Sequence, residues 1–90
     1  MKKLFIIRIT GLVQGVHFRA SAKAKAESLN ITGIVRNEPD GSVYAEAEGE
    51  EANLKKFVDW CYHGPAHAQV KKCVVNEDVL KGYTRFMIER

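Results

Sequence analysis

Ninety residues, 46% of them hydrophobic and 28% charged, suit one folded domain with a modest core and do not read as a disordered chain. The net charge of +3 and pI of about 9.0 lean toward an anionic partner, since basic surfaces attract phosphates and nucleic acids. No apolar run is long enough to span a membrane, and two cysteines without a Cys-x-x-Cys spacing make no disulfide framework.

The opening MKKLFIIRIT imitates a secretory signal, with Lys2 and Lys3 ahead of an apolar run. Arg8 cuts that run short of an h-region, and no small-residue cleavage pattern follows. The segment is expected to be a first strand, about Lys3–Gly11, of a cytoplasmic protein. Phe5, Ile7 and Ile9 share one face of it at period two. Residues 1–26 hold six basic side chains (Lys2, Lys3, Arg8, Arg19, Lys23 and Lys25) and no acid.

A loop, GLVQGVHFR, leads from Gly11 to Arg19. The first helix is expected from about Arg19 to Leu29, with Ala22, Ala26 and Leu29 at helical spacing and small enough, at the alanines, to lie close to a sheet. Asn30 is the candidate left-handed cap. A strand over Ile31–Arg36, the turn Glu38-Pro39-Asp40-Gly41 and a strand over Ser42–Glu48 form a hairpin, because proline presets φ and glycine takes the left-handed position. Val43, Ala45 and Ala47 share one face of the second strand. A second helix, about Glu51–His63, has the apolar stripe Leu54, Phe57, Val58 and Cys61; Glu50 and Glu51 favour its start and Gly64-Pro65 ends it. Strands follow at about Ala68–Val75 and, after a turn at Lys81-Gly82, at about Tyr83–Glu89. The order βαββαβ fits an α+β sandwich, two helices on one face of a mostly antiparallel sheet.

The loop before the first helix carries the chemistry. Its N–H groups and those of the helix start can converge on an anion, reinforced by the helix dipole. Gly15 lets the backbone come close to a ligand, and Arg19 adds a planar charged fork that matches phosphate oxygens. The spacing is neither a Walker A loop nor a Gly-x-Gly-x-x-Gly loop. Spacing by itself leaves a plain turn as the commoner explanation.

GLVQGVHFR together with GIVRNEPDGSV (residues 33–43) resembles the two signatures of the acylphosphatase family, Gly-x-Val-Gln-Gly-Val-x-Phe-Arg and Gly-x-Val-x-Asn followed by an Asp-Gly hairpin. The likeness continues through EAEGEEANLKKFVDW and Gly64-Pro65 to Phe86-Met87-Ile88, so it covers essentially the whole chain. It implies a ferredoxin-like βαββαβ sandwich, two helices packed on a four- to five-stranded sheet, in one free-standing domain over residues 1–90. It also implies hydrolysis of the carboxyl–phosphate bond of a small acyl phosphate to a carboxylate and inorganic phosphate, without metal or cofactor. Carried over residue by residue, Arg19 and the N–H groups of Gly15, Val16, His17 and Phe18 would hold the phosphoryl group, and Asn37 would orient the attacking water. An acyl phosphate has a good leaving group, so positioning and charge stabilisation can supply most of the rate. A substrate phosphate oxygen is expected to take the water's proton. Ile34, Asn30 and Ala22 depart from the residues usual in the family; as packing or capping positions they should tune stability, not activity.

Cys61, His63, His67 and Cys73 lack a recognised metal-ligand spacing, and the cysteines read as buried apolar side chains. Lys81-Gly82-Tyr83 starts like the aromatic strand of an RNA-recognition module, but Thr84 and Arg85 break the pattern. A domain that merely handles phosphate compounds within a larger assembly would keep the fold without catalysis. The reading favoured is a monomeric enzyme with a small-molecule substrate, no nucleic-acid partner and no membrane attachment.

Overall fold

Alternating and helical apolar patterns along the chain resolve into five strands and two helices in a computed structural model that describes residues 1–89. They are β1 (Lys2–Leu12), α1 (Phe18–Ser28), β2 (Thr32–Asn37), β3 (Val43–Glu50), α2 (Glu51–His63), β4 (Gln69–Asp78) and β5 (Phe86–Glu89). The sheet order is β4-β1-β3-β2-β5. Every pair is antiparallel except β2 with β5, which run parallel. The architecture is the ferredoxin-like α+β sandwich.

The helix-facing side follows from residue parity. Ile7 and Ile9 of β1, Val35 of β2 and Val43, Ala45 and Ala47 of β3 are all at most 1% exposed. Onto them α1 lays Phe18, Ala22 and Ala26, four residues apart, and α2 lays Leu54, Phe57 and Cys61. Phe57 meets Phe86 of β5 edge-on at 6.0 Å between ring centres. The departures Ala22 and Ile34 are both buried packing positions, and Asn30 does adopt the left-handed conformation at φ 57°. Two glycines are demanded by close approach: a Cβ on Gly33, whose φ is +146°, would collide with the Glu46 carbonyl, and one on Gly11 would collide with that of Gln69.

The second face departs from the simple alternation. Glu46 and Glu48 point away from the helices yet are 5% and 1% exposed. The reason is topological: β4 and β5 lie on opposite edges, so residues 79–85 must pass over this face. Glu48 receives that crossover with its carboxylate, accepting from the backbone N–H groups of Lys81 at 2.6 Å, Gly82 at 3.2 Å and Tyr83 at 2.8 Å. Glu46 accepts from Lys81 Nζ at 2.8 Å, the Tyr44 hydroxyl at 2.6 Å and the Tyr83 hydroxyl. Leu4, opposite Glu48 across the β1–β3 ladder, is buried with it. Burial pushes both carboxyls up, and these hydrogen bonds outweigh it, so both sit below the ordinary carboxylate value. Tyr44 is pushed up to about 12 by burial and by its bond to Glu46. β5 is accordingly shorter than expected, and Tyr83 belongs to the crossover; β4 runs three residues further than expected, to Asp78.

Candidate active site

β1 ends at Leu12, and residues 13–17 form the loop that enters α1. Val13 is an anchor, 1% exposed in the core. Gly15 and His17 both take left-handed conformations, at φ 72° and φ 60°. His17 stands at the N-cap of α1 without a side-chain capping bond; its carbonyl accepts from the Ser21 N–H at 3.0 Å. Among the described residues the N–H groups of Gly15, Val16 and His17 donate to no protein acceptor, and the first N–H groups of a helix have no partner within it. Alternating backbone handedness of this kind turns successive N–H groups toward one point and makes an anion-binding concavity.

Phe18 fastens the loop from below. It is 2% exposed, lies 5.3 Å from the Trp60 ring, and is approached so closely by Gly64 that a Cβ there would stand 2.9 Å from its ring. The next residue, Arg19, therefore emerges on the cleft side. Its Nη1 donates to the Glu89 carbonyl at 3.4 Å, which ties it to β5.

Asn37 is the last residue of β2 and shares the helix-facing parity of Val35. Its Oδ1 is buried and has no hydrogen-bond partner among the described residues. The turn after it forms as expected: Glu38 N–H donates to the Ser42 carbonyl at 2.9 Å, Gly41 sits at φ 93°, and Asp40 accepts from the Ser42 N–H and hydroxyl.

These elements enclose a cleft of about 250 Å³ bordered by Val13, Gly15, His17, Phe18, Arg19, Ala20, Asn37 and Ile88. Of the six site residues expected from the sequence, five thus border one cavity. The sixth, Val16, turns its side chain toward the core and stands in the loop through its backbone. Arg19, a loop whose N–H groups have no protein acceptor among the described residues and an asparagine with a buried amide oxygen border the same small space. That set can bind a tetrahedral anion and hold a water beside it.

The acylphosphatase family model matches residues 5–88. The chain belongs to the acylphosphatase family. It is 48% identical over 82 residues to an acylphosphatase of Acaryochloris marina, covering 91% of this chain and 88% of that one. It superposes on the crystal structure of acylphosphatase from Bacillus subtilis with a TM-score of 0.95 at 35% identity, covering all of both chains. An acylphosphatase structure from Coxiella burnetii gives a TM-score of 0.95 at 34% identity, over 98% of this chain and 93% of that one. The chain is an acylphosphatase, a hydrolase of small acyl phosphates.

Within this acylphosphatase, sequence reasoning missed four contributors. Ile88 comes to the cleft because the parallel register sets it beside Val35; its parity with Phe86 was the available signal. Gln14 bonds across to the turn after Asn37. Glu46 and Glu48 secure the crossover that delivers β5. Cys61 and Cys73 are buried free thiols, with burial raising both; His63 and His67 are exposed, and no group of three or more potential ligands forms a metal site among the described residues. Lys81-Gly82-Tyr83 lies in the crossover and not in a strand, and Tyr44 on the same face is covered by the guanidinium groups of Arg8 and Arg36 at 4.8 and 4.4 Å.

Proposed function

We propose that Arg19 and the N–H groups of residues 15–18 hold the phosphoryl group of the substrate, and that Asn37 Oδ1 orients the water that attacks it. The observation that carries this reading is the buried, unpartnered Asn37 Oδ1 in the same cleft as Arg19 and the loop. A buried acceptor without a partner is costly, and the hydrogen of a bound water satisfies it. Arg19 can present two parallel N–H groups to two phosphate oxygens, and the loop dipoles stabilise charge on the equatorial oxygens as the bond to the carboxylate leaving group breaks.

The water's oxygen bonds to phosphorus, the acyl oxygen leaves with the bonding pair as carboxylate, and the water's proton passes to a phosphate oxygen. No side-chain base is needed in this scheme. The enzyme acts as a monomer in the cytoplasm, without metal or other cofactor; its two buried, unpaired cysteines suit a reducing compartment.

Steady-state hydrolysis of an aryl acyl phosphate with chelator present, for the wild type, Arg19→Gln and Asn37→Ala, tests the assignment. Arg19→Gln should lose roughly 10²–10³-fold in kcat/KM and bind inorganic phosphate poorly, the scale of removing a strong transition-state donor. Asn37→Ala should lose about 10²-fold in kcat while still binding phosphate. Folded variants with wild-type rates would refute the two roles, and a rate that follows a side-chain pKa would refute the proton path.

A further inference from the structure

Gln14 sits in the phosphate loop, but its side chain reaches out of it. Nε2 donates to the Glu38 carbonyl at 2.8 Å and to the Ser42 carbonyl at 2.9 Å. Both acceptors are backbone oxygens of the turn that begins immediately after Asn37. Because both are acceptors, the amide orientation is unambiguous: only the nitrogen, with its two diverging N–H groups, can satisfy them. The two carbonyls are the ends of the turn, and the Ser42 oxygen already accepts from the Glu38 N–H that closes it. Among the described residues no other hydrogen bond joins loop 13–17 to this turn.

We propose that Gln14 is a positioning residue for hydrolysis, its amide clamping the phosphate loop to the β2–β3 turn so that the water on Asn37 lies in line with the phosphorus. The proposal rests on the roles assigned above to the loop and to Asn37. Phosphate and water are held by segments from different parts of the chain: the loop leads into α1, whereas Asn37 ends β2. Neither segment by itself sets the distance between nucleophile and phosphorus. The clamp spans both, and its acceptors are one and five residues beyond Asn37. An in-line displacement is sensitive to that distance, since a misplacement of ~1 Å can cost about 10²-fold in rate.

The test is a double-mutant cycle in kcat, with inorganic phosphate affinity and urea midpoints measured on the same proteins. Gln14→Met keeps the side-chain length and removes both donors. It should lower kcat by roughly 10–100-fold and leave phosphate affinity within about threefold, because the loop N–H groups and Arg19 stay in place. Asn37→Ala, costly in the wild type, should then cost at least about tenfold less in the Gln14→Met background, because a water already out of line gains little from Asn37. Equal costs of Asn37→Ala in both backgrounds overturn the clamp and leave the Asn37 role standing. No cost of Asn37→Ala in the wild type overturns the Asn37 role, and the clamp's purpose with it. Gln14→Glu, which keeps shape but offers no N–H, repeats the cycle should the Met variant not fold. If neither folds, Gln14 is a structural residue and the proposal fails.

Discussion

Replacing Glu48 by Gln should cost about 3 kcal/mol at pH 7, although the two side chains have the same shape. Oε2 of Glu48 accepts from the Lys81 and Gly82 N–H groups, and Oε1 accepts from Tyr83. A Gln can keep its oxygen at the first position, but its NH2 then faces the Tyr83 N–H, donor against donor. One bond to a charged acceptor is lost, worth roughly 1.5–3 kcal/mol, and two others become neutral, each weaker by something like 0.5 kcal/mol. The total is a large part of the about 5–13 kcal/mol that holds a domain of this size together. It corresponds to a fall in Tm of roughly 12–24 °C. Urea unfolding of the two proteins reads it directly, and amide exchange at residues 81–83 should quicken beyond the global change. Because the folded-state pKa of Glu48 is lowered, its contribution is fully present above the ordinary value of 4.5 and is lost as pH falls through the folded value. The gap between wild type and Glu48→Gln should therefore narrow below about pH 4.5. A variant within about 0.5 kcal/mol of wild type at pH 7, or unchanged exchange at residues 81–83, would refute the idea that this carboxylate fastens the crossover.

His17 borders the cleft and holds a left-handed conformation at φ 60°, and its proposed part is that of a backbone N–H donor. His17→Gly should therefore keep kcat within about threefold, because the N–H geometry is retained; a much larger loss in a folded protein would mean that the imidazole takes part. Asn30, at φ 57° after α1, stands where glycine is least strained. Asn30→Gly should raise stability by about 0.5–1 kcal/mol with unchanged kinetics, measured as a shift of urea midpoint at constant slope.

Much of the fold was legible because it rests on local patterns. Period-two apolar positions located β1 and β3, alanines four residues apart located α1, and Gly64-Pro65 ended α2. The Glu38–Gly41 turn could be read from proline and glycine alone. The candidate site was legible for a different reason: its loop and Asn37 belong to two short motifs, and the conformational demands on them, left-handed turns and a strand end, are met within a few residues.

Tertiary structure decided what no local window contains. SVYAEAE alternates as a half-exposed strand would, yet Glu46 and Glu48 are buried, because the segment covering them lies 33 to 37 residues further on. The crossover exists only because β4 and β5 occupy opposite edges, and edge assignment depends on long-range pairing. The same pairing set the parallel β2–β5 register that brings Ile88 and the Glu89 carbonyl to the cleft. Gln14 likewise reads as one more loop amide until the β2–β3 turn is placed beside it. The sequence by itself determined the two motifs that supply the loop, Arg19 and Asn37; the packing of strands distant in the chain decided that they border one cleft, since closeness across a cleft is a property of the sheet and not of either motif.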